Sequence, residues 1–283
     1  MYNTIRTELN KGILTIFLNR PEKMNAFTEQ MKDELIGCYQ KADENDDVRV
    51  IIVIGEGKAF CAGADLSAGG STFASDEGME NYRDGGGQIS LEVYNLKKPI
   101  IAAINGPAVG IGLTMTLPMD IRIVKPDTKI GFVFARRGIG PEAASGWFLP
   151  QLVGVGKALE WFYTGKYIPT QEALQHGLVQ YEHEQPLEKA MEIAQDIAEN
   201  TTATSNSFAR QLIWQMPGTS HPYNSHLIES KFLYWAGKNA DAEEGVQVSR
   251  RFDAKIVMQI LHLLFLHMHT RWHLIRKNQW ELH

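Results

Sequence analysis

The sequence predicts an α/β fold in which a layered core of strands and helices is followed by a helical region. Apolar runs rich in β-branched residues at 48–54 and 99–104 are typical of strands that are buried on both faces. A helical pattern separates these two runs, and a third strand is expected at 120–124. From Pro186 onward the apolar residues recur at helical spacing. Strands that alternate with helices in this way indicate an α/β core that extends to about residue 200.

Local signals place the first elements. Residues 4–9 and 13–18 alternate apolar and polar side chains around Lys11 and Gly12, which predicts a hairpin. Thr28 is a suitable cap for a helix that begins after it. The apolar stripe of that helix consists of Met31, Leu35 and either Cys38 or Tyr39.

The next helix is expected at about residues 81–96, just before the second buried strand. Residues 67–88 are rich in Gly and Ser and show no convincing period, so we interpret them as a mobile loop that can cover a site. Two further helices are expected at 205–215 and 222–236. The helix that begins at Pro186 is expected to bury one face made of Leu187, Ala190, Met191, Ala194 and Ile197.

The composition argues against several classes of partner. The net charge is −5, so there is no basic surface of the kind that binds nucleic acid or an anionic membrane. The two cysteines, Cys38 and Cys61, give no disulfide framework and suit a reducing compartment. Residues 1–12 contain no apolar segment, so we expect no secretory signal and a cytoplasmic location.

Two glycine-rich segments each follow a buried strand: AFCAGADL at 59–66 and NGPAVGIG at 105–112. Glycine permits backbone conformations closed to other residues and lets a ligand approach the main chain. A helix is expected to begin near Gly110, so its first N–H groups lack partners within the helix. Either segment alone is more often a simple tight turn. Two such loops on neighbouring strands, however, can aim N–H groups at one carbonyl oxygen, as stabilisation of an enolate requires.

Taken with further segments, these loops resemble the signatures of a known family. The motif NRPEKMNA at 19–26 precedes them, and Met119-Asp120-Ile121 and then Tyr163-Thr164-Gly165 with residues 173–179 follow them. The order is similar to that of the crotonase (enoyl-CoA hydratase/isomerase) superfamily over roughly residues 3–248. The resemblance implies a crotonase-like spiral of ββα units with a helical C-terminal region. It also implies an acyl-CoA thioester as substrate, and homotrimers or dimers of trimers.

The resemblance further implies roles for individual residues. The N–H groups of Ala64 and Ile111 are expected to hold the thioester oxygen. The residues expected to bind the substrate are Lys23, Ala26, Ala62, Gly63, Asp65, Leu66, Gly110, Thr114 and Phe134. No metal and no separate cofactor is expected, because coenzyme A is part of the substrate.

The type of reaction depends on the available carboxylates. Hydratases of this family hold a water molecule with two glutamates, and the matching positions here are Thr114 and Phe134, which cannot act as acid or base near neutral pH. Glu142, in the segment GPEAA, resembles the catalytic glutamate of one branch of enoyl-CoA isomerases. It is expected at the start of an apolar helix beside Phe134 and Trp147, where burial would raise its pKa and the helix N-terminus would lower it. The alternative is an ordinary acidic residue in a first helical turn.

An isomerase is therefore the leading hypothesis. Glu142 would remove a proton from the acyl chain, the N–H groups of Ala64 and Ile111 would stabilise the resulting dienolate, and Glu142 would return the proton further along the chain. Two alternatives stay open. One is a hydratase-type lyase, and the other is a catalytically silent protein that binds an acyl-CoA or a protein partner.

Three regions are expected: residues 1–200 as the core with the acyl-CoA site, 201–250 as a helical trimerisation region, and 251–283 as an atypical tail. Residues 250–283 hold five of the nine histidines. After residue 247 the sequence departs from the family pattern, which either a change of reading frame or an additional packing helix would explain. Tail histidines such as His269 and His273 lack an accompanying cysteine or carboxylate pattern, so no native metal site is expected.

Overall fold

The computed structural model describes residues 2–74, 76–240 and 242. The chain divides into two compact units, with the boundary between Glu199 and Asn200. The predicted tail at 251–283 lies outside the described residues. No helix in the described part of the chain is long and apolar enough to cross a membrane.

The first unit begins with the predicted hairpin. Strand β1 (Ile5–Asn10) pairs antiparallel with β2 (Ile13–Leu18), and Asn10 lies opposite Ile13 across a two-residue turn. Both turn residues have positive φ angles, 48° at Lys11 and 80° at Gly12. A turn of this kind matches the right-handed twist of the strands that it joins, and the hairpin prediction is confirmed.

The main sheet of the described residues carries parallel strands next to this hairpin. The later strands are β3 (Val50–Gly55), β4 (Ile100–Ile104), β5 (Ala108–Val109), β6 (Ile121–Val124), β7 (Ile130–Gly131), β8 (Tyr167–Ile168) and β9 (Tyr181–Glu182). The order in the main sheet is β1-β2-β3-β4-β6-β9, with every pair after the hairpin parallel, and β5, β7 and β8 form a smaller sheet. All residues of β3 and β4 are buried, as their apolar runs predicted.

Helices follow the strands in the order that an α/β fold requires. They are α1 (Glu29–Glu44), α2 (Gly85–Asn95), α3 (Ile111–Thr114), α4 (Ser145–Val153), α5 (Val155–Thr164), α6 (Thr170–Gln175) and α7 (Pro186–Asn200). Short 3-10 helices lie at Pro21–Lys23, Leu66–Ser71 and Ala135–Arg137. The predicted α/β class is confirmed by this arrangement.

Two helices show how the sequence sets their ends and buried faces. At α1 the side chain of Thr28 accepts a hydrogen bond from the Met31 N–H at 3.2 Å, as a cap should. The sequence left open whether Cys38 or Tyr39 completes its buried stripe, and in the structure both side chains are buried. At α7 the predicted face packs on the sheet core, with its two small residues Ala190 and Ala194 fully buried.

The prediction for α2 is wrong at the N-terminal end. The helix begins at Gly85, not near Asn81, because the Asp84 side chain caps it by accepting a 2.6 Å hydrogen bond from the Gly87 N–H. The loop interpretation of residues 67–88 is therefore wrong at both ends. Its first residues belong to the 3-10 helix Leu66–Ser71, and its last residues belong to α2.

The second unit contains the predicted C-terminal helices, α8 (Ala203–Gln215) and α9 (Tyr223–Ala236), joined through the 3-10 helix Met216–Gly218. Phe208 of α8 and Phe232 of α9 stack with their ring centroids 3.8 Å apart. Leu212, Ile228 and Trp235 pack against this pair. The two helices therefore share an apolar core of their own, while the trimerisation role assigned to this region stays a prediction.

Candidate active site

The two glycine-rich loops run side by side. The Cys61 N–H donates to the Pro107 carbonyl at 3.0 Å, and the Val109 N–H donates to the Cys61 carbonyl at 3.1 Å. Between these two bonds, Cys61 and Ala108 form an isolated parallel bridge. The paired backbones of Cys61 and Ala108 thus fix the position of one loop against the other.

Glycine is required where these loops meet. A Cβ atom on Gly112 would lie 2.0 Å from the Cys61 carbonyl oxygen, a distance that no relaxation of a side chain can relieve. Gly110 has a φ of 55° and a ψ of −124°, a conformation that other residues rarely adopt. Only glycine at these two positions allows the loops to approach so closely.

A cavity of about 1460 Å³ opens beside the two loops. Ligand sites for drug-sized molecules usually measure about 300–1,000 Å³, so there is room here for a larger ligand. The wall combines apolar residues such as Phe27 and Phe134 with charged residues such as Arg83, Arg137 and Glu142. A ligand with both a polar and an apolar part fits a lining of this composition.

The N–H groups of Ala64 and Ile111 are free at this wall. Both residues line the cavity, and among the described residues neither N–H donates a hydrogen bond to a protein acceptor. Ile111 is buried and Ala64 is partly buried. A backbone N–H in such a place is usually paired, so an unpaired one beside a cavity is available to a ligand. They are the same two groups that the sequence predicted as donors to the thioester oxygen.

Glu142 lies on the same wall as these donors. Its carboxylate accepts a hydrogen bond from the hydroxyl of Thr114 at the end of α3. A Cβ atom on Gly86, in the first turn of α2, would lie 2.1 Å from Glu142 Oε2 and 2.6 Å from Ile111 Cδ1. The glutamate is therefore enclosed between the first turn of α2 and the side chains of α3.

The local structure around Glu142 differs from the prediction. The residue does not lie in a first helical turn, because Ala143 and Ala144 have positive φ angles of 57° and 53° and α4 begins only at Ser145. Trp147 does not line the cavity, and its ring packs edge-on against Tyr94 at 5.6 Å between centroids. Glu142 is therefore not part of the first turn of α4, and its catalytic role stays a prediction.

Burial raises the pKa of Glu142 from its ordinary value of 4.5 to about 7. The hydrogen bond from Thr114 favours the ionised form and lowers the pKa, while the negative charge of Asp84 raises it further. The effect of burial is larger than that of the hydrogen bond. The net shift of the Glu142 pKa is therefore upward, a direction that the sequence had left open. A group with a pKa near 7 can both take and release a proton at neutral pH.

Asp84 is the residue that sequence reasoning missed. Its Oδ2 atom accepts from the Gly87 N–H at 2.6 Å and from the Ala143 N–H at 3.0 Å, so it joins the start of α2 to the loop that carries Glu142. The signal that could have found it is the identity of Asp84 itself, because aspartate is a preferred N-cap residue. Its contact with Ala143, across 59 positions of sequence, carries no local signal.

The predicted substrate-binding residues fall into two groups. Those that line the cavity are Ala62, Gly63, Asp65, Leu66, Gly110 and Phe134, whereas Lys23, Ala26 and Thr114 do not line it. Thr114 is fully buried behind Glu142. The roles assigned to all nine in substrate binding stay predictions.

Asp65 is held in place by protein groups. Its side chain accepts from the Ser67 N–H at 3.0 Å and pairs with Arg20 at 2.9 Å. These interactions, with Ser67 first and Arg20 second, hold the pKa of Asp65 at about 2. Its carboxylate therefore stays ionised and organises the loop of Ala64.

In the described part of the chain, no group of three or more His, Cys, Asp or Glu side chains is arranged to hold a metal ion. The histidines of the tail, such as His269, lie outside that part.

The comparisons with known proteins agree on one family. Residues 8–253 match the family model for enoyl-CoA hydratase/isomerase. The chain is 41% identical over 239 residues to enoyl-CoA hydratase AFT3-1 of Alternaria alternata, which covers 83% of this chain and 79% of the relative. It is 30% identical over 252 residues to 1,2-epoxyphenylacetyl-CoA isomerase of Escherichia coli K12, with 87% of this chain and 95% of that protein covered.

Solved structures show the same likeness in three dimensions. A probable enoyl-CoA hydratase/isomerase from Mycobacterium abscessus superposes with a TM-score of 0.80 at 32% identity, over 86% of this chain and 94% of that one. An enoyl-CoA hydratase from Bacillus anthracis superposes with a TM-score of 0.78 at 31% identity, over 87% and 95%. The crotonase-like fold that the sequence motifs implied is thereby confirmed.

Proposed function

The chain belongs to the enoyl-CoA hydratase/isomerase family, the crotonase superfamily, and on this premise we propose that it moves a β,γ double bond of an acyl-CoA thioester into conjugation. In this proposal Glu142 is the proton-transfer group, and the N–H groups of Ala64 and Ile111 bind the thioester oxygen. Isomerisation is redox-neutral and adds no atoms, so it requires no cofactor beyond the coenzyme A of the substrate.

One observation carries the proposal. Glu142 is a carboxylate with a pKa of about 7 on the same cavity wall as two unpaired backbone N–H groups. A base near pKa 7 is suited to removing and returning a proton at neutral pH. Hydrogen-bond donors aimed at an oxygen that gains negative charge lower the barrier to forming an enolate.

The reaction follows in two proton transfers. The Glu142 carboxylate takes a proton from the α-carbon, and the C–H electron pair moves to the thioester oxygen to give a dienolate that the Ala64 and Ile111 N–H groups stabilise. The protonated Glu142 then delivers the same proton to the γ-carbon, the electron pair returns from the oxygen, and the α,β double bond is formed. One carboxylate serves both steps because the proton is only moved.

Hydration is the second candidate, because relatives such as enoyl-CoA hydratase ACTT3 of Alternaria alternata, at 42% identity, carry hydratase names. Water addition needs one group to activate water and one to protonate the α-carbon. Thr114 and Phe134 stand at the positions that match the two hydratase glutamates. Asp84 is a second carboxylate on the cavity wall beside Glu142 and would have to replace one of them.

The test offers the purified protein a β,γ-enoyl-CoA and follows the ultraviolet absorbance of the conjugated thioester. We expect conjugation by the native protein and a loss of about 100-fold or more in kcat for Glu142→Gln, since the base is removed. Glu192→Gln, which changes an exposed glutamate of α7, is the matched control and should retain full activity. Turnover that survives Glu142→Gln would refute the assignment of the base.

Two further outcomes separate the alternatives. If the protein lowers the absorbance of an α,β-enoyl-CoA, and this activity requires both Asp84 and Glu142, the protein is a hydratase. Binding of both thioesters without turnover would indicate a silent acyl-CoA-binding protein. Either result would replace the isomerase proposal.

We also propose that the chain assembles as a homotrimer or a dimer of trimers. The support is the helix α9, which leaves Tyr223, Leu233 and Tyr234 largely exposed in the single chain. Leu233 and Tyr234 are neighbours near the end of α9, and exposed apolar patches are typical of interaction surfaces. Light scattering coupled to size-exclusion chromatography measures the mass directly, and a monomer at micromolar concentration would contradict the proposal.

A further inference from the structure

The Thr114 hydroxyl lies between two acceptors. It contacts Glu142 Oε1 on one side, and the Gly110 carbonyl oxygen lies 3.2 Å away on the other. A threonine hydroxyl has a single proton, so it can donate to only one of the two at a time, although it can also accept. Thr114 is fully buried, so water does not compete for this hydroxyl.

The protonation state of Glu142 decides which acceptor the hydroxyl uses. While Glu142 is ionised, its carboxylate is the stronger acceptor and takes the Thr114 proton, because charge-assisted hydrogen bonds are about twice as strong as neutral ones. Once Glu142 carries the substrate proton on Oε2, its Oε1 belongs to a neutral carboxyl group and is a weaker acceptor than a peptide carbonyl. The Thr114 proton is then free to turn to the Gly110 carbonyl, where it adds to the hydrogen bonds that this oxygen accepts from the Leu113 and Thr114 N–H groups, each at 2.9 Å.

The Gly110 carbonyl is chemically connected to the oxyanion site. It belongs to the same peptide group as the Ile111 N–H, which is one of the two free donors at the cavity wall. A hydrogen bond accepted by an amide carbonyl polarises that amide and strengthens its N–H as a donor. A change at Thr114 therefore reaches the thioester oxygen through one peptide bond.

We propose that Thr114 is a positioning residue that couples the protonation state of Glu142 to the donor strength of the Ile111 N–H. The proposal rests on the proposed isomerase function. When the substrate proton arrives at Glu142, the Thr114 hydroxyl turns to the Gly110 carbonyl, and the Ile111 N–H strengthens at the moment when the thioester oxygen carries most charge. When Glu142 gives the proton to the γ-carbon it is ionised again, and the Thr114 hydroxyl turns back to its carboxylate.

Other groups near Glu142 act on its charge but not on the peptide of Ile111. Asp84 faces it from the start of α2, the Cys61 thiol faces it from the first loop, and Arg83 and Arg137 line the same cavity. Among the described residues, Thr114 is the one whose side chain contacts both the Glu142 carboxylate and the Gly110 carbonyl. The coupling is therefore specific to its hydroxyl.

The test measures the carbonyl directly. A saturated acyl-CoA with a ¹³C-labelled thioester carbonyl is bound to the protein, and infrared difference spectra record its C=O stretch from about pH 5 to about pH 9, on either side of the Glu142 pKa. In the native protein we expect the stretch to move to lower frequency as Glu142 takes up a proton. Thr114→Ser keeps the hydroxyl and should preserve this shift, whereas Thr114→Val should lose most of it.

Controls separate the hydroxyl from packing. Thr116→Val removes another buried threonine hydroxyl, which donates to the Leu113 carbonyl at 2.7 Å, and should behave like the native protein. Thr114→Ala removes the hydroxyl without adding bulk and takes the place of Thr114→Val if valine impairs folding. A shift of native size in either hydroxyl-free variant overturns the proposal.

Kinetics supply the second measurement. We expect Thr114→Val to lower kcat about 10-fold with KM unchanged, because the stronger donor acts only in the transition state, and Thr114→Ser to recover most of the loss. A native protein that shows the pH-dependent carbonyl shift but does not isomerise would leave the coupling standing and refute the isomerase function. A native protein that isomerises while Thr114→Val keeps the full shift would refute the coupling alone.

Discussion

Asp84 and Glu142 are joined through a single backbone amide, because the Asp84 carboxylate accepts the N–H of Ala143, the residue that follows Glu142, at 3.0 Å. Ala143 has a φ of 57°, a conformation that costs a non-glycine residue free energy unless its surroundings hold it. The same Asp84 caps α2 through Gly87. One carboxylate thus fixes the backbone of the proposed base and places a negative charge next to it.

Removing that charge should move the pH dependence of the reaction. The negative charge of Asp84 raises the pKa of Glu142, so Asp84→Asn lowers this pKa while the asparagine oxygen can still accept from Ala143. The acidic limb of a kcat–pH profile should therefore shift to lower pH. Asp33→Asn, at an exposed position of α1, should leave the limb where it is. If the acidic limb of the Asp84→Asn profile does not shift, the charge of Asp84 does not raise the pKa of Glu142.

A side chain at position 86 should displace the base. The Cβ of Gly86→Ala would lie 2.1 Å from Glu142 Oε2, so the carboxylate must move by about 1 Å, and misplacement on this scale costs about 100-fold in rate. Gly85→Ala is the matched control, because its Cβ would meet the flexible side chains of Glu29 and Lys32 at 3.2 Å. Steady-state kinetics of both variants provide the comparison. Equal activities would show that the carboxylate is not confined by α2.

Glu142 should make the protein less stable as the pH rises. Its pKa is about 7 in the folded chain against an ordinary value of 4.5, so the folded state holds the proton more tightly and stability falls between about pH 4.5 and about pH 7. At pH 8, Glu142→Gln should therefore raise the free energy of unfolding by up to about 3 kcal/mol, and the gain should vanish toward pH 4. Urea unfolding at several pH values measures this difference. A gain of the same size at every pH would point to packing and not to ionisation.

Asn25 should be a main support of the first loop. It is fully buried, its Oδ1 accepts from the Arg20 N–H at 2.8 Å, and its Nδ2 donates to the carbonyls of Glu56 and Ala59 at 2.9 and 2.8 Å. Asn25→Ala leaves these buried groups without a partner, so we expect a loss of about 2–4 kcal/mol in the free energy of unfolding.

A second variant separates the hydrogen bonds of Asn25 from its backbone conformation. Asn25 has a φ of 55°, which glycine adopts at no cost, so Asn25→Gly loses the same hydrogen bonds but relieves the backbone. It should be more stable than Asn25→Ala by about 1 kcal/mol. Thermal unfolding of both variants measures the difference. Equal midpoints would show that the backbone conformation carries no cost.

The amino-acid sequence by itself determined the elements and the candidate chemistry. The hairpin turn at Lys11 and Gly12, the cap at Thr28 and the buried strands follow from local conformational preference and from the period of apolar residues, which act over a few positions. The two glycine-rich loops and the carboxylate of Glu142 were also visible in the sequence. The sequence also showed that positions 114 and 134, a threonine and a phenylalanine, carry no carboxylate.

The tertiary structure alone decided how these parts meet. Asp84 contacts Ala143 across 59 positions, and Thr114 contacts Glu142 across 28, and neither separation leaves a periodic signal in the sequence. The position of Glu142 before α4, and not within it, depends on the left-handed backbone of Ala143, which Asp84 supports from another element. Such contacts arise from the register of the sheet and the packing of α2 and α3 against the loops. They set the pKa of Glu142, because burial is a property of the assembled fold.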